Sequence, residues 1–308
     1  MKRLAFLFVF LFAVSSVAEE AKRVTADKER IIQTVRFLSE ENHPRTVLPE
    51  NKAKTIDYII KAITAAGMEA TRDDFTLNWE EGTFTNIHAL KKGKTDKRIV
   101  VGAHFDAVHE SPGANDNASG VAVLIELIYL FKEDTGLNHD IEFVFYDAEE
   151  LGIWGSQRHA RELRNQNVVV VCMLCIDMVG YYSDEEHSQT YPIDGMERLY
   201  GTTGDFLAVV GRMRDTGLVE SAKKAFQEAV PLRIESFLAP QWFQFLFTVS
   251  DHSPFWRQGY PAMLFTDTAN FRSEHLHQPT DTWDTLDYNR LAKVPVGIYH
   301  IILMLDAE

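Results

Sequence analysis

The stretch KRIVVGAHFDAV, from Lys97 to Val108, decides the fold. Its first part, Lys97 to Ala103, predicts a buried strand, because an apolar run of this length ends abruptly in polar residues. Two similar runs follow it, at Ile141 to Tyr146 and Val168 to Ile176. The segments between them have helical spacing, at Gly120 to Phe131 and Gly155 to Leu163. Strands that alternate with helices predict right-handed crossovers and a mainly parallel sheet covered on both faces.

Further elements are predicted on both sides of this core. Two helices precede it, from Asp27 to Glu41 and from Pro49 to Gly67. Strands at Phe206 to Val210 and Ala262 to Phe265 follow it, as do helices at Leu218 to Ala229 and Leu291 to Met304. We therefore predict an α/β fold, a three-layer α/β/α sandwich whose central sheet is mixed and mainly parallel, with outer strands free to run antiparallel.

Composition restricts the partners. The chain has 308 residues, of which 45% are hydrophobic, and a formal net charge of -14. These values are typical of a globular protein, and the excess of acidic residues disfavours nucleic acid and anionic membranes as partners. A cation, such as a metal ion or a free amine, suits this charge better.

The first eighteen residues are typical of a secretory signal. Lys2 and Arg3 precede an apolar run from Leu4 to Val14, and small residues lead to a predicted cleavage point after Ala18. The prediction is a signal peptide at 1–18 and a single domain at 19–308, secreted or periplasmic, without stable membrane insertion after cleavage. An uncleaved anchor is the alternative.

Two cysteines, Cys172 and Cys175, lie inside the last apolar run. Their C-x-x-C spacing is found in redox and zinc sites. On a strand, however, residues three apart lie about 10 Å from each other and face opposite sides of the sheet, whereas a disulfide needs Cα atoms within about 7 Å. We predict that both are buried structural residues.

Polar residues follow each of the three central strands. His104 and Asp106 follow the first strand, Asp147, Glu149 and Glu150 the second, and Asp177 the third. Ligands of open α/β sheets bind at the carboxyl ends of the strands, so these side chains are expected to meet at one edge. Asp116 joins them from the loop that opens the next helix.

Such a group of carboxylates predicts a bound cation, because like charges a few ångströms apart oppose one another's ionisation. Carboxylates with imidazole and without thiolate favour catalytic zinc, or manganese or cobalt, and disfavour calcium and magnesium. A further ligand is expected from the polar segment Arg272 to Asp287, which offers His275 and His277.

Six blocks of this sequence, in order between about Lys97 and Asp287, resemble the co-catalytic dinuclear zinc aminopeptidases. This family includes the secreted bacterial leucyl aminopeptidases, with glutamate carboxypeptidase II and the glutaminyl cyclases as relatives. The blocks are GAHFDAV (102–108), GANDNASGVA (113–122), YDAEELGIWGS (146–156), IDMVGY (176–181), SDHSPFWRQGYPAMLF (250–265) and HQPTDT (277–282).

The resemblance implies a role for each matching residue. Asp116 would bridge two zinc ions, with His104 and Asp177 completing one metal and Glu150 and His277 the other. Glu149 would be the general base, and Asp106 would orient the His104 imidazole. The family pattern selects His277 over His275 and implies a cis peptide bond between Asp116 and Asn117.

Two further roles are open in the sequence. Relatives often carry a tyrosine immediately before the last ligand, where this chain has Leu276, so the donor to the oxyanion is not assigned. His252, in the S-D-H block, supports the site from behind or is structural. We interpret His109, His139, His159 and His187 as solvated residues.

The predicted function is removal of N-terminal residues from peptides by a secreted enzyme with two zinc ions per chain. Aromatic residues between Phe237 and Phe255, including Trp242, Phe243 and Phe245, are core residues or line a pocket for an apolar side chain. The acidic edge suits the free ammonium of the substrate. The alternative is a glutaminyl-peptide cyclotransferase on the same scaffold, and a non-catalytic ectodomain is a more distant one.

Overall fold

A computed structural model describes residues 24–46, 48–241, 244 and 247–307. The predicted signal at 1–18 lies outside the described residues, as do Trp242, Phe243 and Phe245. None of the described helices has the length and apolarity that crossing a membrane requires.

Eight strands form one sheet, in the spatial order β1-β2-β4-β3-β5-β8-β6-β7. The strands are β1 (Ala70–Leu77), β2 (Glu80–Lys91), β3 (Thr95–His104), β4 (His139–Tyr146), β5 (Val170–Ile176), β6 (Phe206–Arg212), β7 (Arg233–Ala239) and β8 (Ala262–Thr266). The central strands β4, β3, β5 and β8 are parallel to one another. The pairs β1/β2, β2/β4 and β6/β8 are antiparallel, which confirms the predicted mixed sheet.

Helices cover both faces of the sheet. They are α1 (Lys28–Arg36), α2 (Pro49–Ala65), α3 (Ser119–Leu130), α4 (Trp154–Asn165), α5 (Glu197–Tyr200), α6 (Thr216–Ala229), α7 (His252–Arg257), α8 (Tyr288–Leu291) and α9 (Val294–Asp306). The larger apolar cluster includes residues of α1, α3, α6 and α9, and the second includes residues of α4 and α7. Cys172 belongs to the first cluster and Cys175 to the second, and neither forms a disulfide. The two cysteines therefore face opposite sides of β5, as predicted.

Three strands, β1, β2 and β7, are not among those predicted from the sequence. A single residue of β1 is buried, and the strand pairs only with β2, so its sequence lacks the continuous apolar run that identified the central strands. β7 occupies the other edge of the sheet, where its burial is interrupted along its length. The edges of this sheet therefore carry a weaker sequence signal than its centre.

The interpretation of His139 and His159 as solvated residues is wrong. Both are buried, with 4% of their surface exposed. His139 bonds to the Thr95 hydroxyl through Nδ1 at 2.9 Å, because β3 and β4 are neighbours. His159 lies on the inner face of α4, where its Nδ1 is 2.9 Å from the Tyr146 hydroxyl. Polar sequence neighbours concealed this burial.

Candidate metal centre

The seven predicted site residues lie together at one edge of the sheet. His104 is the last residue of β3, Asp177 follows β5 directly, and Glu149 and Glu150 lie in the turn after β4. Because these three strands are parallel, their carboxyl ends face the same way. Asp116 comes from the turn before α3, and His277 reaches the same edge from the loop after β8.

Asp116 is the centre of the group because its two oxygens face two different sets of side chains. Its Oδ1 is 3.3 Å from His104 Nε2, which is also 3.4 Å from Asp177 Oδ1. Its Oδ2 is 3.1 Å from His277 Nε2, which is 3.2 Å from Glu150 Oε2. The five side chains therefore form two three-residue sets that share one carboxylate.

The donor atoms suit divalent cations. Glu150 Oε1 and Asp177 Oδ1 are buried and have no hydrogen-bond partner among the described residues. A buried carboxylate oxygen without a partner is costly, and a metal ion removes that cost. Imidazole and carboxylate ligands without thiolate are the set used by catalytic zinc. The residues therefore fit the two metal ions that the sequence predicts.

Electrostatic interactions in this group oppose one another. Burial alone would raise the pKa of Asp116, but its contacts with His104 and His277 outweigh burial and hold that pKa below its ordinary value. The bonds of His277 to Asp116 and Glu150 raise its pKa to about 10. Burial, with repulsion from Asp251 and Asp177, raises the pKa of Glu149 well above its ordinary value, although His104 opposes this. The group therefore contains more carboxylates than its two imidazoles can neutralise.

Asp106 contacts both the histidine and the glutamate turn. Its Oδ1 accepts a hydrogen bond from Glu149 N at 3.2 Å, and its Oδ2 accepts one from Glu150 N at 3.0 Å. His104 Nδ1 lies 3.3 Å from Asp106 Oδ1, an ion-pair distance without the alignment of a hydrogen bond. Asp106 thus holds the backbone of the turn that carries Glu149 and lies beside the imidazole.

Left-handed backbone conformations concentrate at this edge. Non-glycine residues with positive φ include Ala148 (59°), Ile153 (63°), Met178 (54°) and His277 (58°). Such conformations cost of order 1 kcal/mol or more for a residue with a side chain, and they occur preferentially at functional sites. The resemblance also implied a cis Asp116–Asn117 peptide bond, and the structure has it.

A cavity of about 570 Å³ opens onto the same edge. Four of the five predicted ligands, all except His104, contribute to its wall, and Glu149 does so as well. The rest of the wall is largely apolar and includes Met178, Phe237, Phe247 and Leu264. The acidic group therefore lies at one side of a pocket that can hold an apolar side chain.

The structure separates the neighbouring histidines. His275 has other partners: its Nδ1 is 2.9 Å from the Thr280 hydroxyl, and its ring packs edge-on against Tyr181. His252 is buried with its Nε2 2.6 Å from the carbonyl oxygen of Phe247, so it contacts the cavity wall and not the acidic group. Of the two candidates in this loop, only His277 joins the acidic group.

The sequence alone predicts no role for two residues at this site, Arg45 and Asp281. Arg45, before α2, donates to backbone carbonyls directly after His104 and in the segment that ends at Asp116. Asp281 accepts hydrogen bonds from the backbone of the turn that carries Asp116. Asp281 lies inside a block that identified the family resemblance, but Arg45 lies outside all six blocks, and only the tertiary structure brings it here.

The chain belongs to peptidase family M28, whose model matches residues 86–302. The matched region includes β3, β4 and β5 and all seven predicted site residues. The family defined by the resemblance is thereby confirmed, and the chain is a peptidase-family hydrolase.

Similar proteins cover nearly the whole chain. The uncharacterized protein YfbL of Escherichia coli K12 is 31% identical, over 98% of this chain and 99% of its own length. Leucine aminopeptidase 1 of Ajellomyces dermatitidis is 27% identical, over 86% of this chain and 68% of its own length.

Solved structures share the fold. An aminopeptidase from Aneurinibacillus sp. strain AM-1 matches with a TM-score of 0.70 and 18% identity, covering 91% of this chain and 94% of its own. The glutaminyl cyclase of Porphyromonas gingivalis matches with a TM-score of 0.66 and 19% identity, covering 92% of this chain and 98% of its own. The fold is thus common to two kinds of enzyme.

Proposed function

We propose that this protein is a zinc-dependent aminopeptidase that removes N-terminal residues from peptides. The observation that carries the proposal is the position of the Asp116 carboxylate between two histidines: one oxygen lies 3.3 Å from His104 and the other 3.1 Å from His277. One zinc ion would be held by His104, Asp177 and Asp116, and the second by Glu150, His277 and Asp116. Membership of a peptidase family and a leucine aminopeptidase relative support this proposal.

The metal pair would supply Lewis acidity and lower the pKa of a water molecule, as in other two-metal hydrolases. Glu149, buried at the cavity wall, would take the proton of the attacking water on its carboxylate and return it to the leaving amine. Asp106 holds the Glu149 and Glu150 amides at 3.2 and 3.0 Å, so this turn is fixed before substrate binds.

Two features favour a substrate with a free N-terminus and an apolar first side chain. The surplus carboxylates would attract the substrate ammonium, which an internal peptide bond lacks. The apolar wall of the cavity would bury the side chain, and each buried methylene contributes about 0.8 kcal/mol. Leucine-type substrates are therefore expected to react faster than alanine or acidic ones.

The test combines metal content with one substitution. Wild-type protein is expected to bind two equivalents of zinc and to hydrolyse leucine p-nitroanilide. Glu149→Gln is expected to keep both zinc ions and to lose about 10²- to 10⁴-fold in kcat, since proton transfer by a positioned side chain contributes that much. Retained activity with full zinc content would remove Glu149 from this role.

The alternative is a glutaminyl-peptide cyclotransferase, because the fold resembles that of a glutaminyl cyclase as well. The complete double set of ligands around Asp116 favours the hydrolase, since it provides for two metals. Incubation with an N-terminal glutaminyl peptide separates the two functions. Pyroglutamyl product without release of the first residue from leucine p-nitroanilide would establish the cyclotransferase.

We also propose that the mature protein is one domain, residues 19–308, which is secreted or periplasmic. The basic, apolar and small-residue order of residues 1–18 supports export. Amino-terminal sequencing of protein from the extracellular or periplasmic fraction is expected to begin at Glu19. An intact Met1 in the exported protein would contradict cleavage.

A further inference from the structure

Arg45 is a buried cation with an unusual set of partners. Its side chain is 1% exposed, yet no carboxylate among the described residues lies within ion-pair distance of it. Its guanidinium instead donates to backbone carbonyls. Nε donates to Phe105 O at 2.7 Å and Nη1 to Pro112 O at 2.6 Å, and Nη2 donates to Asp106 O and Asp116 O at 3.1 Å each.

These carbonyls belong to two segments that carry proposed metal ligands. Phe105 and Asp106 directly follow His104, and the segment from Pro112 ends at Asp116. One rigid, planar group therefore connects the backbone beside His104 to the backbone of Asp116. Guanidinium is suited to this, because its five N–H donors have a fixed geometry that a lysine ammonium cannot reproduce.

Asp281 holds the Asp116 turn through its amides. Its Oδ1 accepts from Asn115 N at 2.9 Å, its Oδ2 accepts from Asp116 N at 3.1 Å, and its own carbonyl accepts from Ala114 N at 3.1 Å. The Asp281 side chain is fully buried. The Asp116 turn is thus held by two charged side chains: the Arg45 guanidinium binds its carbonyls and the Asp281 carboxylate binds its amides.

Gly113 provides the space for this arrangement. Its φ is +64°, a conformation that favours glycine. A Cβ atom there would lie 2.7 Å from Arg45 Nη1 and Nη2 and 2.4 Å from Asp116 O. The close approach of the guanidinium to the turn therefore depends on a residue without a side chain.

We propose that Arg45 and Asp281 are positioning residues that hold Asp116 where its two oxygens face two metal ions. This role rests on the proposed function, since it concerns the same zinc site. The bonds are directional, so the role requires the guanidinium geometry at Arg45 and two carboxylate acceptors at Asp281. Neither residue reaches the zinc sites through its own side chain, and both act through the Asp116 backbone.

The experiment measures the dissociation constants of both zinc ions by competition with a chromogenic chelator. Arg45→Lys and Arg45→Met are each expected to weaken zinc binding at least tenfold, the range found when groups that orient metal ligands are removed. Lysine is expected not to rescue binding, because its charge alone does not satisfy four carbonyls.

Arg212→Lys is the matched control. Arg212 is also buried, at 2% exposure, and donates to the carbonyl of Tyr260 at 2.8 Å. It is the last residue of β6, which runs antiparallel to β8, so it lies at the opposite ends of the strands from the acidic group. It is expected to lower the melting temperature while leaving both zinc dissociation constants within about twofold, as for distant sites that do not couple. This control separates a loss of packing from a loss of ligand orientation.

Asp281→Asn tests the hydrogen bonds to the amides of the Asp116 turn. It also provides a second test if the Arg45 variants do not fold. Its amide nitrogen would oppose one backbone N–H, so zinc binding is again expected to weaken at least tenfold. A folded Arg45→Lys or Asp281→Asn protein with wild-type zinc dissociation constants would overturn the positioning role. Wild-type protein that takes up no zinc would instead overturn the proposed function, and this role with it.

Discussion

Among the residues that the structure describes, two clusters of histidines and carboxylates lie on different parts of the same sheet. The first, around Asp116 at the carboxyl ends of the strands, is the candidate metal centre. The second lies between β2, β4 and α4 and consists of His88, Glu142 and His159, with their ligand-type atoms within 4.8 Å of one another. Residue types alone do not separate the two clusters.

The two clusters differ in their net charge. Glu142 is the single carboxylate of the second cluster, and its Oε2 accepts from Arg98 Nη1 at 3.0 Å while its Oε1 is 3.0 Å from His88 Nδ1. Burial would raise the pKa of Glu142, but His159 and His88 outweigh it and hold that pKa well below its ordinary value. The arginine already neutralises this cluster, so a divalent cation would add uncompensated charge.

The Asp116 cluster has the opposite imbalance. Five carboxylates, those of Asp106, Asp116, Glu149, Glu150 and Asp177, lie with two imidazoles, and Arg45, a buried cation nearby, bonds to backbone carbonyls. A cluster with surplus negative charge needs a cation from solution, whereas a neutral cluster does not. The comparison teaches that net charge, not ligand type, distinguishes a metal site from a buried ionic network.

The largest expected difference between the clusters is in zinc content and activity. Asp116→Asn is expected to lose tight binding of both zinc ions and to reduce kcat/KM by roughly 10³-fold or more, since the metals supply several kcal/mol of transition-state stabilisation. Glu142→Gln is expected to keep two zinc ions and near-wild-type activity. Metal analysis after gel filtration, with assays on leucine p-nitroanilide, measures both. A lost zinc ion in Glu142→Gln would show that the second cluster is itself a metal site.

Loss of a carboxylate charge should change the stability of the metal-free protein in opposite directions at the two clusters. Glu142→Gln leaves the Arg98 charge without its partner and is expected to cost about 2 to 3 kcal/mol of unfolding free energy. Glu149→Gln removes one of several repelling carboxylates and is expected to stabilise the metal-free protein by about 1 kcal/mol. Urea unfolding in the presence of a chelator measures both. Destabilisation of similar size in both variants would contradict the difference in charge balance.

The contribution of Glu142 should also depend on pH. Its folded pKa is depressed, so its stabilisation is complete above the ordinary carboxyl pKa of about 4.3 and is lost as pH falls toward the folded value. The difference in unfolding free energy between wild type and Glu142→Gln should shrink by about 1 to 2 kcal/mol as pH falls from about 5 to below 4. A gap that instead grows below about pH 5 would show that Glu142 is not the stabilised anion.

The centre of the fold and the proposed ligands could be predicted because their signals are local. Buried parallel strands are continuous apolar runs, and a polar residue such as His104 or Asp177 directly after one of them has no structural reason in the strand itself. Parallel pairing then brings these ends together. The family resemblance added the pairing of ligands around Asp116, which strand ends alone do not provide.

The remaining features depend on contacts between distant segments. The burial of His159 follows from the packing of α4 against β4, and its polar neighbours on the helix give no sign of it. Arg45 acquires its partners only when the segment before α2 meets the turns after β3, 60 to 71 residues away in the chain. Neither contact has a periodicity or spacing that a single sequence displays.

The smallest expected effect concerns a histidine outside both clusters. His275 is two residues from His277 but is half-buried and bonds to Thr280, and it contacts no residue of the Asp116 cluster. His275→Ala should therefore keep two zinc ions and change kcat/KM by less than about threefold, since a substitution away from the metal ligands and their partners costs about 0.5 kcal/mol. His277→Ala, the matched variant, removes a ligand and should lose one zinc ion and most activity. If the two variants exchanged these results, His275 and not His277 would be the ligand of the second zinc ion. The observed contact between Asp116 and His277 would then no longer support two metal ions that share Asp116.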